Sequence, residues 1–431
     1  MTARWSEALA GYLKPRVSVF LLLGFVCGLP YNLLGYSLSL WMRNVGVSLA
    51  VIGFFSLVFI PYSLKFLWAP VVDRVRIPYL ARHLGQKKSW ALVFQAGLIA
   101  SIWGLACHSP DQNTIVMTRL IQEAGRDVLS HIPVQTFVFA FLTAFFAASQ
   151  DIVVDALRID TLNKEELGEG AGTYQLGYRM GLLVSGAGVV WASSMVSWNL
   201  AYAVVGLAGV LGMIGILCVR EEPRPAAPGP LLRQMVVSPF ADFMTRKLWL
   251  MILVFIALYK VSNAVLGRMA LPFYYDIGFT KAQIALVSGL YGPFITLLGV
   301  LAGGVLAARY SVLKCLFWLG FVEIGTSLVF AGLAAVGPSM PVFALTILFD
   351  NIVGGIGGAV FIAYLSGLCS KAYSATQYAL LTSMMAVAVS VIASYSGVWA
   401  GQMGYPLFFV FTGLLMAPAL ILLRVMMRKT A

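Results

Sequence analysis

Long apolar runs, cut by short polar stretches, repeat down the chain without a two-residue alternation. Lipid offers the backbone no hydrogen-bond partner, so continuous runs predict membrane-crossing helices rather than the strands of an outer-membrane barrel. About 20 apolar residues cover the hydrocarbon. On that measure the pattern predicts an all-α membrane protein of about twelve spans. They are expected near 17–40, 51–72, 90–107, 134–157, 171–193, 198–219, 248–272, 282–306, 314–336, 341–369, 376–399 and 406–427. The first run is too long for a signal-peptide core and no small-residue cleavage site follows it. It is expected to remain as the first span.

The longest polar connection, REEPRPAAPGPLLRQMVVSPFADFMTRK, covers 220–247 and is rich in Pro and charge. It reads as a linker. It divides the chain into a six-span half at 1–219 and another at 248–431. A weak internal repeat agrees: with the first helices of the two halves aligned, Gly35, Gly46, Ser48 and Ile52 meet Gly267, Gly278, Thr280 and Ile284. Six plus six is the layout of the major facilitator fold. The polar stretch 108–133 is expected to form a short amphipathic helix at the outer surface.

Composition changes little in this picture. Hydrophobic residues make up 60% and charged residues 11%, against about 25% charged in soluble domains. The net charge of +12 raises the question of nucleic acid. Its distribution answers it. With the N-terminus in the cytoplasm, only Arg43, Arg119, Arg126 and Lys281 fall in outer loops, and Lys65, Arg179, Lys260 and Arg268 within spans. The remaining Lys and Arg lie on the inner side, a positive-inside pattern that places both termini in the cytoplasm and needs no nucleic-acid partner.

Catalytic signatures are missing. The chain has no Walker A sequence, HExxH or GxSxG elbow. The histidines (His83, His108, His131) fall in loops, and the five cysteines form no CxxC pair. No metal, cofactor or enzymatic activity is expected, and transport would draw on a gradient rather than on ATP directly.

The informative residues are charges inside spans, which must face the bundle interior and find partners. AASQDIVVDALRID, 147–160, carries Asp151 and Asp155 on one helix face, with Asp151 about 9 Å from the inner end of the fourth span. Arg179 and Lys65 should lie at similar depth and are candidate partners. Arg158 and Asp160 read as interface charges. Two roles stay open for the carboxylates: a proton site, or an ion-pair network closing an inner gate. In the second half Lys260, Asn263, Asp350 and Asn351 fall near mid-membrane, where Lys260 faces either solute or Asp350. Glu323 reads as a packed neutral acid or a further proton carrier. Asp73 and Arg74, in KFLWAPVVDRVRIPYLARHLGQKKS, resemble the major facilitator loop signature and would lock inner helix ends; a plain basic loop is the other reading. The Gly residues of DNIVGGIGG read as close-packing positions.

Further segments carry a family resemblance. GFVCGLPY (24–31), IGFFSLV and KFLWAPVVDR (52–74), SQDIVVDALRIDTL (149–162), LGYRMGLLVSG (176–186), LYK (258–260), DNIVGGIGG (350–358) and SATQYALLTS (374–383) together resemble the AmpG-type muropeptide permeases of the major facilitator superfamily. The resemblance implies a bacterial inner-membrane importer of anhydromuropeptides, proton-coupled and working by alternating access, and a monomer by default. Lys65, Arg179, Lys260 and Arg268 would then meet the solute's negative groups. Gln150, Asn263, Asn351 and Gln377 would hydrogen-bond it, with Asp350 in the same set, and Asp151 and Asp155 would carry or gate the proton. Leu167 in EELGEGAG departs from the family's usual Arg, and related branches carry siderophores or acetyl-CoA. A siderophore or other organic-anion permease is the alternative on this fold. From other classes, a membrane enzyme on a lipid-linked substrate and a non-transporting sensor or assembly factor are the further readings.

Overall fold

A computed structural model describes residues 11–45, 47, 52, 55–108, 110, 114–115, 132–221 and 237–430. Ten of its helices are long and apolar enough to cross a membrane. Numbered by chain passage, they are α1 (Pro15–Asn44), α3 (Gln86–Cys107), α4 (Val134–Thr161), α6 (Trp198–Cys218), α7 (Trp249–Asp276), α8 (Leu286–Arg309), α9 (Val312–Val336), α10 (Met340–Leu368), and the helices of α11 and α12. The other two expected passages are also helical. α2, over 55–74, is broken into short 3-10 and α-helical pieces. α5 runs through 167–193, is more polar, and bears Glu169, Gln175 and Arg179. Helix runs almost without pause through 374–414, but Gly404 at φ 72° turns the chain there, a conformation a side chain would strain. It separates α11 (374–403) from α12 (405–430), close to the expected boundary.

Gly11 packs beside Glu169, and Met426 joins the cluster that holds Ile159 and Ala171, so the first and last described helices share one end of the bundle, here called the basic end. The expected amphipathic helix of 108–133 falls mostly outside the described residues; its described edges, Thr114–Ile115 and Ile132–Pro133, pair as two short antiparallel strands. Much of the 220–247 linker, 222–236, is likewise outside them, and Ser238–Met244 is a short helix.

Apolar side chains gain little by leaving lipid for one another, so close backbone approach and polar contacts must hold the helices together. Gly24 and Gly28 of α1 lie against the Tyr174 and Tyr178 carbonyls of α5, and Gly177 and Gly181 of α5 against the Leu21 and Phe25 carbonyls of α1. α8 and α10 repeat the device through Gly299, Gly303 and Gly355. Where a span loses helical regularity, a neighbour supplies the missing partner. π-Helical turns interrupt α1 at Leu33–Ser37 and α5 at Val184–Gly188. Asn32 donates to the Leu182 carbonyl at 2.9 Å, Ser37 to that of Ser185 at 2.6 Å, and Tyr202 to that of Leu33 at 3.0 Å. Gln95 meets the Gly209 carbonyl at the break in α6.

The apolar core falls into four clusters, and their membership locates the junction between the halves. At the end opposite the basic end, the cluster around Trp41 and Tyr202 draws only on the first half, and that around Phe273 and Phe330 only on the second. The two clusters toward the basic end mix the halves: Ala375 and Ala379 pack into the first, Ile159 and Ala171 into the second. Gly172 of α5 crosses Gly304 of α8 with Tyr12 against both, and Gly168 packs on Ala308. Tyr12 also donates to the Leu301 carbonyl at 2.9 Å.

Candidate functional site: a central cavity closed at the basic end

Between the halves lies a cavity of about 490 Å³, within the usual range for a small-molecule site. α4 contributes Asp151 and Asp155, α5 Tyr174, Gln175, Tyr178 and Arg179, α7 Lys260 and Asn263, α8 Thr296, α10 Asp350 and Asn351, and α11 Tyr378 and Thr382. Seven residues expected from the sequence thus share one wall-to-wall site: Asp151, Asp155, Arg179, Lys260, Asn263, Asp350 and Asn351.

The cations and acids are arranged differently from the expected pairing. Asp155 is partnered neither by Arg179 nor by Lys65 but by Arg158, one turn along its own helix, at 2.8 Å. Arg158 is no interface charge: it is fully buried. Its guanidinium donates to Ser366 at 2.9 Å and to Tyr378 at 3.3 Å, and lies against the rings of Tyr174 and Tyr378. It therefore bridges α4 and α5 to α10 and α11 beneath the cavity. Asp151 makes no ion pair among the described residues; the Cys27 thiol and the Lys65 charge lie near it. Arg179 also has no ion pair among the described residues. Lys260 forms none with Asp350 either. Its ammonium stands 5.8 Å from the Tyr259 ring centroid and 5.7 Å from that of Phe361. Two cations thus face the cavity without a partnered acid, while Asn351 is occupied by Thr296 at 2.7 Å and by the Ile347 carbonyl.

Four expected residues lie outside the cavity lining. Lys65 and Gln150 are buried in the first half. Arg268 is exposed on α7, about two turns beyond Lys260, and is not among the residues that line the cavity. Gln377 sits at the basic end, holding Asp242 at 2.8 Å, the Pro239 carbonyl and the Ser370 N–H. Its polar groups are thereby satisfied. Tyr174, Gln175, Tyr178, Tyr378 and Thr382 were missed, because an uncharged polar residue in a long span gives no signal of which face it takes. A weak one exists: Tyr174 and Tyr178 are spaced four apart beside Arg179.

At the basic end a charged network bolts the halves together. Asp73, buried, accepts hydrogen bonds from Ala375 N at 3.3 Å, Thr376 N at 2.8 Å and Thr376 Oγ1 at 2.7 Å. It caps the start of α11, where unpaired N–H groups and the helix dipole favour an anion. Lys87 bridges Asp73, at 3.3 Å, to Asp160 and donates to Ser374 at 2.6 Å. Ser374 in turn donates to Asp160 at 2.8 Å. Asp160, like Arg158, is thus more than a solvated interface charge. Arg74 lies over the Tyr373 ring at 4.5 Å. The expected lock residues Asp73 and Arg74 therefore touch the opposite half, with Lys87 as an unforeseen third member.

A family model described as acetyl-coenzyme A transporter 1 matches residues 15–217. A transporter of Rickettsia felis named AmpG 4 is 31% identical over 96% of this chain and 97% of its own. The anhydromuropeptide permease of Escherichia coli K12 is 33% identical over 97% of this chain and 81% of its own. Among solved structures, the human organic anion transporter MFSD10 superposes with TM-score 0.65 at 13% identity, over 98% of this chain and 100% of that one. The major facilitator superfamily proton:xylose symporter XylE does so with TM-score 0.63 at 12% identity, over 97% and 95%. The fold they share with this chain is that of a major facilitator transporter.

Proposed function

The chain belongs to the AmpG family of permeases and is a multi-pass membrane transporter, and from that premise we propose that it imports anhydromuropeptides across the bacterial inner membrane by alternating access. The observation that carries this reading is the cavity's chemistry. Two cations that form no ion pair among the described residues, Arg179 and Lys260, face amides and aromatic rings across one space. A muropeptide brings peptide carboxylates for the cations and sugar rings and hydroxyls for Tyr174, Tyr178, Gln175 and Asn263. A purely apolar solute would leave those polar groups without partners. With both termini cytoplasmic, the bolted end faces the cytoplasm and the cavity is that of an outward-facing carrier awaiting solute from the periplasm.

Proton coupling is part of the proposal, with Asp151 as first candidate because it lines the cavity and lacks an ion-pair partner among the described residues. Asp155, held by Arg158, takes the gate role in this reading. The test is uptake of labelled anhydromuropeptide into proteoliposomes under an inward proton gradient. Lys260→Ala and Arg179→Ala should each weaken apparent affinity about 10- to 100-fold, as expected for loss of a hydrogen bond to a charge worth about 1.5–3 kcal/mol. Asp151→Asn should uncouple uptake from the gradient; full gradient-driven uptake by that variant would sink its proton role. Saturating uptake of an acyl-coenzyme A or a siderophore, with none of muropeptide, would replace the solute.

A further inference from the structure

Behind the α7 and α10 walls of the central cavity lies a second, much smaller one of about 10 Å³, room for one water-sized occupant. Asn263, Asp350 and Gly354 line both spaces and separate them. On its far side is Glu323, near the middle of α9. It is only 6% exposed, and neither carboxylate oxygen has a hydrogen-bond partner among the described residues.

The walls explain why. Three hydroxyls reach this space, and each has already given its proton to a backbone carbonyl: Ser262 to Thr412 at 2.7 Å, Thr326 to Val322 at 3.1 Å and Ser327 to Glu323 at 3.3 Å. A hydroxyl that donates elsewhere turns only lone pairs to its surroundings. Asn263 makes no hydrogen bond to either acid among the described residues. Apart from the Asn263 amide, the polar side chains around the space present acceptors, two of them carboxylates, and no donor engages either acid among the described residues. A buried carboxylate left so is among the costliest arrangements a membrane protein can hold. What such a ring lacks is positive charge in a small volume. Oxygen acceptors of this kind suit a hard cation or a proton, and no thiolate or imidazole is present to favour a soft metal.

We propose that Glu323, Asp350 and the hydroxyls of Ser262 and Ser327 form a binding site for one small monovalent cation, a proton or Na⁺, whose occupancy is linked through Lys260 to the anionic solute. The charged and titratable groups facing Glu323 are Lys260 and Tyr259 of α7 and Asp350 of α10. Among the described residues Lys260 makes an ion pair with neither acid; its ammonium stands over the Tyr259 and Phe361 rings, close enough to Glu323 for the two charges to interact. A second cation beside Lys260 is opposed while the ammonium is bare and tolerated once a solute carboxylate neutralises it. Each ligand thereby favours the other, and such linkage is reciprocal. The site is separate from Asp151, which stands in the other half.

The linkage, unlike the site, rests on the anionic-solute reading above, so the two are tested apart. For the site, the purified full-length protein is melted without solute, in choline chloride at alkaline pH, in NaCl at equal ionic strength and pH, and in choline chloride at mildly acidic pH. A cation that binds only the folded state raises the melting midpoint, here expected by about 3 °C or more. A rise with NaCl assigns Na⁺, and a rise with acid alone assigns the proton. Either assignment requires that Glu323→Gln and Asp350→Asn each remove most of the shift. Should Glu323→Gln fail to fold, Asp350→Asn and Ser262→Ala serve instead. No shift in the unaltered protein, or a shift intact in the variants, overturns the site. For the linkage, anhydromuropeptide affinity should change about tenfold with the same cation, and less than twofold in Glu323→Gln. Solute binding that ignores the cation overturns the linkage. Absence of muropeptide binding under every condition strikes the proposed function and leaves the melting result standing.

Discussion

Arg158 shows how much one side chain can hold when it is buried between two halves. Its charge meets Asp155, its remaining N–H groups meet Ser366 and Tyr378, and two tyrosine rings cover its faces. Removing one partner from a buried pair strands the other, at a cost of about 3–5 kcal/mol. Arg158→Ala should therefore lower the thermal midpoint sharply, and Asp155→Ala in the same chain should recover part of the loss; a double-mutant cycle on purified protein measures the coupling. Sequence alone marked the acids here but misjudged this arginine. A charge eight residues past Gln150 looks like the end of a span, yet α4 runs on to Thr161 and carries Arg158 down among α10 and α11. Proximity across halves is set by helix crossing, which local spacing does not encode.

Elements divide into those that hydropathy finds and those it does not. The ten apolar helices were legible because lipid imposes one length and one composition on whatever crosses it. α2 and α5 stayed legible as positions but not as shapes: each departs from regular helix where it borders the cavity or its neighbour. The α1–α5 seam follows from glycines whose role appears only when two backbones meet. A Cβ at Gly28 would overlap the Tyr178 carbonyl, a backbone atom that cannot swing aside. Gly28→Leu should therefore force α1 and α5 apart, and the protein should lose its monodisperse elution and melt at least several degrees lower. The same substitution at Gly325, where nothing lies within 4 Å, should be nearly silent.

For the whole molecule, the closed end is the side with the charges and the open end the side with aromatic clusters kept within each half. The Asp73 cap on α11 is one of the bonds that favour this state over its inverse. Asp73→Asn keeps the shape but removes the anion from the helix terminus, an effect of about 0.3–2 kcal/mol before the loss of Lys87 as a partner is added. The population should shift toward the state open at the basic end. In a cysteine-free background, Thr382→Cys in the cavity wall should react with an impermeant maleimide added from the side opposite the termini. Adding Asp73→Asn should slow that reaction severalfold; an unchanged rate would show that the cap does not set the balance.

The crossing of Gly172 over Gly304 gives this balance a mechanical side. The two backbones approach near the closed end, with only the Tyr12 hydroxyl set against them. A helix such as α8 extends roughly 30 Å beyond such a contact at 1.5 Å per residue. Used as a lever about that fulcrum, a tilt of only about 10° sweeps the far tip through roughly 5 Å, the width of a sugar ring's edge. Bulk added at the fulcrum would change the throw of the lever while leaving every residue of the solute cavity untouched.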